Sequence, residues 1–237
     1  MALWTYSQSG ATIPYFDLGV RPARGTQEVA LSLQILFLLT ILTLAPSIIL
    51  MMTSFVRVVI ILKFVQRALS LQQEPPNQVI MGMALFITFF IMAPTIEQIY
   101  NKAYVPFSKN QLTTEQFFDK SMKPLRTFMF AQTREKDIDL FLYLGKYSRP
   151  KSQDDVSTVV LIPAFIISEL TTAFKIGVII FIPFIVIDMV VASILMAMGM
   201  IMVPPIMISM PLKIIIFILV DGWHLITLQT VKSFHLI

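Results

Sequence analysis

The sequence contains no cysteine, and only two of its 237 residues are histidine. Without cysteine the chain has no disulfide, no thiolate metal site and no cysteine nucleophile in any compartment. His224 and His235 are too far apart in sequence to form the i, i+4 metal pair of a helix. The chain also lacks H-E-x-x-H, G-x-S-x-G and P-loop motifs, so we predict no catalysis and no cofactor.

Charged residues are scarce as well. They make up 14% of the chain, against 56% for hydrophobic residues, whereas an ordinary soluble domain is nearer a quarter charged. The net charge of +4 is small and dispersed, without a run of five or six like charges, which argues against a nucleic-acid partner. The composition is typical of a protein that is buried in a membrane or in a large assembly.

Two stretches, residues 29–56 and 75–96, contain no Asp, Glu, Lys or Arg. As helices that rise about 1.5 Å per residue, both are long enough to cross a hydrocarbon core of about 30 Å. A third apolar region, residues 156–220, is interrupted by five prolines and four charges. A charge at the bilayer centre costs at least about 2.5 to 3.5 kcal/mol, so this region is better suited to burial in protein. Its charged residues are Glu169, Lys175, Asp188 and Lys213.

The polar residues concentrate between the apolar halves, where residues 97–155 hold ten of the eighteen basic residues and eight of the fourteen acidic ones. Thr113 and Gln116 have the spacing of a capping box, and residues 134–144 form a second amphipathic stretch before Gly145. No stretch alternates with the period of a strand. We therefore predict an all-α fold of membrane-associated helical hairpins with a small polar helical insert.

Four segments follow from this pattern. The first segment has no basic region followed by an apolar core, so no signal peptide is visible: either one was removed or the first apolar run directs insertion. The segments are residues 1–28, a polar N-terminal part; 29–96, a first apolar hairpin region; 97–155, the polar insert; and 156–237, a second apolar region with a methionine-rich loop.

The stretch 57–73, which joins the first two apolar runs, is amphipathic. One face carries Val58, Ile61, Leu62, Val65 and Leu69, and much of the other carries Arg57, Lys63, Gln66 and Arg67. Two interpretations are open: an interfacial helix with a solvated basic face, or a helix that packs inside an oligomer.

Seven of the fifteen methionines lie between residues 189 and 210. Pro204 and Pro205 lack N–H donors, and Gly199 weakens the preceding turn, so this segment is not one regular helix. In an extended loop, Met198, Met200 and Met202 would share one side. Methionine is flexible and apolar, so loops from several subunits could form a deformable seal; alternatively, the methionines only fill gaps in a core.

Several motifs follow one another between residues 29 and 225. They include Met-Met-Thr-Ser-Phe-Val-Arg, with Thr53, Ser54, Phe55 and Arg57; Pro-Pro-Asn-Gln-Val, with Pro75, Pro76 and Asn77; Gly-Met-Ile-Met-Val-Pro-Pro, which ends at Pro205; and Leu-Val-Asp-Gly-Trp, with Asp221, Gly222 and Trp223. In this order they resemble the FliP family of flagellar export-gate proteins, and the related export apparatus of injectisomes is similar.

The resemblance implies a pore-forming subunit that conducts unfolded export substrates across the bacterial inner membrane, within the flagellar basal body. It implies a pentamer in a helical pore complex with FliQ-type and FliR-type subunits, FlhB-type and FlhA-type neighbours, and a FliO-type assembly factor. In that family the methionine-rich loop closes the pore, and the matching residues here are Met198, Met200, Ile201 and Met202. Relatives usually have methionine where this chain has Ile201, whose branched side chain is stiffer and should seal less adaptably.

The charges in the third apolar region admit two functional interpretations. We expect Glu169, Lys175 and Asp188 to find ionic or hydrogen-bonding partners inside the assembly, although pairing within one subunit is the alternative. In a secondary transporter or small-ion channel subunit, the same three residues would instead form a charged pathway. Transporters are often built from repeats, and the sequence shows no convincing one.

Overall fold

The computed structural model describes residues 26–71, 74–200 and 202–234. Over these residues the chain forms helices and no strand, which confirms the all-α prediction. The α-helices are α1 (Thr26–Met51), α2 (Phe55–Ala68), α3 (Asn77–Ile99), α4 (Val105–Ser108), α5 (Thr114–Gln132), α6 (Glu135–Leu144), α7 (Thr158–Ala197), α8 (Pro205–Leu219) and α9 (Gly222–Lys232), with a π-helical turn (Tyr100–Tyr104) before α4 and a 3-10 turn (Gln153–Asp155) before α7.

The chain divides into two units, Met1–Leu44 and Ala45–Ile237. The described part of the first unit belongs to α1, whose apolar stretch Leu33–Met51 is long enough to cross a membrane. Large side chains such as Phe37 and Leu42 are exposed there. A helix that is apolar on every side requires an apolar environment all round.

The core of the second unit forms around α2, which packs against α7 and α3. The predicted apolar face is confirmed, since Val58, Ile61, Leu62, Val65 and Leu69 are all buried. Of the two interpretations of the polar face, a solvated basic face is wrong at two positions, because Arg57 and Gln66 are buried too. Both find polar partners inside the chain: Arg57 pairs with Glu169, and Gln66 donates to the carbonyl of Pro75 at 2.9 Å.

The polar insert is helical, as predicted, and it starts with the expected cap. The backbone N–H of Gln116 donates to Thr113 Oγ1 at 3.3 Å, and the backbone N–H of Thr113 donates to Gln116 Oε1 at 3.1 Å. Helix α5 then continues through Pro124 to Gln132. Phe128 and Met129 on α5 are buried in the main core, so the insert is packed onto the apolar helices.

The remaining apolar helices keep large exposed faces. Among the described residues, three helices are long and apolar enough to cross a membrane, or four if α8 and α9, which meet at a 67° bend, count as one broken span. Phe86 on α3 and Ile179 on α7 are examples of exposed large side chains. Such surfaces are too apolar for water, so lipid or other protein must cover them.

Asp221, Gly222 and Trp223 make the corner between α8 and α9. Asp221 has a left-handed backbone with φ of 50°, and it precedes the first residue of α9. A Cβ atom on Gly222 would lie 2.3 Å from the ring of Phe217, so only glycine fits here. Trp223 packs edge-on against the same ring, with the centroids 5.3 Å apart.

Gly177 provides a test of the packing between α7 and α2. A Cβ atom there would lie 2.4 Å from the ring of Phe64, so we expect Gly177→Ala to lower the free energy of unfolding by about 1 to 3 kcal/mol. Thermal unfolding in detergent measures this change. The matched control is Gly82→Ala on α3, where a Cβ atom meets nothing within 4 Å.

We expect Gly82→Ala to be neutral or stabilising by up to about 1 kcal/mol, because alanine favours helix. Combining Gly177→Ala with Phe64→Leu should cost less than the sum of the two single changes, since the smaller side chain makes room. Strictly additive effects would contradict a direct contact between Gly177 and Phe64.

Candidate functional site: the methionine loop and its buried ion pairs

The methionine loop begins where α7 ends, at a glycine with a left-handed backbone. Gly199 has φ of 73°. Its N–H donates to the carbonyl of Met196 at 3.0 Å, and the N–H of Met200 donates to the carbonyl of Leu195 at 3.0 Å. These two bonds form a Schellman motif, which ends a helix and satisfies its last carbonyls. The direction in which the chain leaves α7 is therefore set by the backbone.

The other end of the loop is set by the two prolines. Pro204 has an extended backbone with ψ of 120°, and Pro205 is the first residue of α8. Proline at this position suits a helix start, because the first N–H of a helix has no partner in the helix. The predicted break in the helix is therefore confirmed.

One detail of the prediction is wrong. Met198 is not part of an extended strand: it is the C-terminal cap of α7, with φ of −82° and ψ of 1°. The extended geometry that would align Met198 with Met200 and Met202 is interrupted at Gly199, whose left-handed backbone turns the chain. Ile201, which was also assigned to the seal, lies outside the described residues.

The loop methionines are exposed in the single chain. Met202 is 96% exposed, Met198 58% and Met200 40%. These three side chains do not fill gaps in the core of their own chain, which was the alternative interpretation. An exposed cluster of large apolar side chains indicates a contact outside the chain.

A partly buried polar network joins α7 and α8, the helices on either side of the loop. Lys213 Nζ on α8 donates to Asp188 Oδ2 on α7 at 2.6 Å, and Ser209 Oγ donates to Asp188 Oδ1 at 2.6 Å. Lys213 Nζ also donates to Ser70 Oγ at 2.8 Å, just after the end of α2. The Lys213 side chain is 2% exposed and that of Asp188 34%. The network therefore fixes how α7 and α8 sit beside α2.

A second network surrounds Arg57 and Glu169, and it is buried more deeply. The side chains are 2% and 0% exposed. Arg57 Nε donates to Glu169 Oε2 at 2.9 Å, and Arg57 Nη2 also contacts Glu169 Oε1. Arg57 Nη1 donates to the carbonyl of Ser233 at 2.8 Å, and Nη2 donates to Gln132 Oε1 at 3.0 Å. The ring of Phe234 covers the guanidinium at 3.9 Å.

The third predicted charge, Lys175, behaves differently. It is exposed on α7 between apolar side chains such as Phe174 and Val178. Within the described ranges no carboxylate lies within 4.0 Å of it. Glu169 and Asp188 thus have partners in their own chain, whereas a partner for Lys175 from another subunit remains a prediction.

The other motif residues shape the turns at the two ends of α2. Before it, Thr53 Oγ1 donates to the carbonyl of Leu50 at 2.7 Å and accepts from the N–H of Phe55 at 3.3 Å, beside the buried Ser54. Beyond α2, Pro75 follows a cis peptide bond, Pro76 caps the start of α3, and Asn77 Oδ1 accepts a hydrogen bond from Lys63. These residues are structural in the single chain.

Sequence reasoning did not assign roles to Lys213, Ser209 or Asp137. A signal existed for the first two: Ser209 precedes Lys213 by four residues, so both lie on one face of α8. No comparable signal marks Asp137, which accepts a hydrogen bond from Ser168 Oγ on α7 and from Arg134 Nε at 2.8 Å. The contact between Asp137 and Ser168 forms only because α6 packs against α7.

Comparison with known proteins shows that the chain is similar to the members of one protein family. The model of the FliP family matches residues 38–230. The flagellar biosynthetic protein FliP of Borreliella burgdorferi is 54% identical over 229 residues, covering 95% of this chain and 89% of that protein. The protein of the same name from Bacillus subtilis is 49% identical over 208 residues, covering 88% of this chain and 94% of its own length.

The buried pair of Arg57 and Glu169 yields a prediction about stability. Removing one partner leaves an uncompensated buried charge, so we expect Glu169→Gln or Arg57→Met to lower the free energy of unfolding by about 3 to 5 kcal/mol. The double variant should lose less than the sum, because neither charge is then left alone. Unfolding of the purified protein in detergent measures all three.

The control is Glu135→Gln, which removes an exposed carboxylate from α6. It should change the free energy of unfolding by no more than about 0.5 kcal/mol. If the two single losses simply add in the double variant, the ion pair does not hold these helices together.

Proposed function

Because the chain belongs to the FliP family, we propose that this membrane-embedded component of flagellar export is a pore-forming subunit of the export gate. It conducts unfolded export substrates across the bacterial inner membrane, at the flagellar basal body. The methionine loop seals the closed pore. The observation that carries this proposal is the loop itself: three exposed methionines, Met198, Met200 and Met202, on a turn with fixed ends.

The chemistry of methionine suits a seal that must open for varied contents. Its side chain has three rotatable bonds and a polarizable sulfur, so several copies can fit against one another or against a passing chain. A narrow apolar constriction also excludes water and ions by dewetting. In this arrangement Met200 and Met202 provide the adaptable surface, and the branched Ile201 provides a stiffer one.

The exposed apolar faces support assembly with further subunits. Large side chains of α7 and α8, including Ile179, Met189 and Leu219, are exposed in the single chain. Further copies of this chain, in a pentamer, would cover part of this surface. FliQ-type and FliR-type subunits would cover more of it, FlhB-type and FlhA-type proteins would be neighbours, and a FliO-type factor would assist assembly.

For Lys175, we expect a partner in a neighbouring subunit of this assembly. A lone ammonium in an apolar helix is costly, and a carboxylate from a neighbouring subunit would neutralise it. Glu169 and Asp188 already pair with cations of their own chain. This in-chain neutralisation favours a structural role for both over the charged pathway of a transporter.

Replacing two loop methionines tests the sealing role. We expect the variant Met200→Ala with Met202→Ala to increase ion leakage through the assembled gate, because alanine leaves the constriction too wide. Conductance of the reconstituted complex measures leakage, and secretion of flagellar substrates measures export.

The matched control is Met81→Ala, which shortens an exposed methionine on α3, away from the loop. It should leave leakage at the level of the unmodified complex. Normal leakage and normal export in the double variant, with the complex assembled in normal yield, would exclude a sealing role for these methionines.

A further inference from the structure

A basic cavity of about 650 Å³ lies where the end of α3 meets the polar insert. Its walls come from the π-helical turn after α3, from α5 and from the loop before α7. Five of its lining side chains are charged: Lys102, Lys120, Lys123, Arg126 and Asp154. Four positive charges and one negative charge therefore line this half-open cavity.

Among the described residues, the three lysines of this cavity form no salt bridge. Over the described residues no carboxylate oxygen lies within 4.0 Å of Lys102, Lys120 or Lys123. Lys102 Nζ donates a hydrogen bond to a neutral partner, Gln98 Oε1, at 3.4 Å. Like charges that converge in this way raise the local potential, which attracts an anion.

Arg126 holds the wall of the cavity in place. Its guanidinium donates to Thr158 Oγ1 at 2.6 Å, to the carbonyl of Val156 at 2.7 Å and to the carbonyl of Gln153 at 3.1 Å. It also lies 5.4 Å from the centre of the Phe130 ring. Because three of its five N–H donors are engaged by the chain, Arg126 adds charge and positions the loop, while the ammonium groups of the three lysines carry the donors for a ligand.

The position of the cavity along α3 indicates the depth of the membrane surface. The last large exposed apolar side chain of α3 is Ile96, and the candidate span that starts with α3 continues to Ser108, which is longer than a hydrocarbon core of about 30 Å requires. Shortly after Ile96, Tyr100 and Tyr104 are stacked with their centroids 5.3 Å apart, and both are about half exposed. Tyrosines are enriched at the level of the lipid headgroups. Lys102 lies between them in a π-helical turn, a distortion that occurs frequently at functional sites.

We propose that this cavity binds the phosphate-bearing headgroup of an anionic phospholipid, with Lys102, Lys120 and Lys123 as its ligands. Lys120 and Lys123 are three residues apart and so lie on one face of α5, while Lys102 approaches from the turn after α3. The volume is within the range of about 300 to 1,000 Å³ that is usual for small ligands. A bound headgroup would fix the depth of α3 in the bilayer. This inference does not depend on the sealing role of the methionine loop.

Lipid binding to the purified full-length protein in detergent tests the site. Native mass spectrometry would follow a titration with phosphatidylglycerol and a parallel one with zwitterionic phosphatidylcholine. We expect tight binding of phosphatidylglycerol alone. The triple variant with Lys102→Gln, Lys120→Gln and Lys123→Gln should bind it roughly a hundredfold more weakly.

Two further variants separate charge at this site from folding and from net charge. Replacing the same three lysines with arginine should preserve binding, because the charge is kept. Replacing three exposed lysines elsewhere in the insert with glutamine, Lys136, Lys146 and Lys151, changes the net charge equally and should leave binding intact.

Three results would overturn the proposal. The first is phosphatidylcholine binding as tightly as phosphatidylglycerol, and the second is unchanged binding in the Lys102, Lys120 and Lys123 glutamine variant. The third is displacement of the lipid by an equal concentration of inorganic phosphate, which would assign the cavity to a free anion. An acidic peptide that displaces the lipid from the unmodified protein equally well would assign it to a protein partner.

Discussion

A charge inside an apolar protein has to be neutralised where it lies, and Arg57 and Glu169 neutralise each other between α2 and α7. The guanidinium has more donors than one carboxylate uses, and the remainder reach Gln132 and the carbonyl of Ser233. Arg57 on α2 thus contacts α5, α7 and the two residues that follow α9, Ser233 and Phe234. A buried ion pair is weak support for net stability, but separating the two partners is costly because it leaves a buried charge unpaired. Because Gln132 is the last residue of α5, the Arg57 network also helps to hold the polar insert against the apolar helices.

The pair of Lys213 and Asp188 performs the same task nearer the methionine loop. It joins α7 to α8, and through Ser70 it joins both to the end of α2. The loop between these helices then needs no internal core of its own, since its ends are fixed by Gly199 and by the proline pair. Flexible methionines on rigid supports can adapt at the surface without loosening the helices beneath them. Sealing and assembly would thus be carried by different residues.

Much of the fold could be predicted from local patterns. Charge-free runs, the capping box at Thr113 and the buried face of α2 are properties of neighbouring residues, and the structure contains all three. The polar face of α2 could not be predicted in the same way. Amphipathic spacing places Arg57 opposite the apolar stripe, but its burial depends on Glu169, which is more than a hundred residues away in sequence. For the same reason, Lys213 was not predicted as the partner of Asp188, although both residues stood out as charges in apolar helices.

At the methionine loop, too, one part could be predicted from the sequence and another could not. The helix break was visible in Gly199 and the two prolines, whereas the Schellman turn that takes Met198 out of an extended loop depends on the backbone of one residue.

The central claim, that this loop faces a translocating chain, is tested most directly by cross-linking. Since the sequence has no cysteine, Met202→Cys and Met81→Cys each introduce a single thiol. A stalled unfolded substrate that carries one cysteine should cross-link to position 202 and not to position 81. Substrate trapped in the gate without a cross-link at position 202, or with equal cross-links at both positions, would contradict the account.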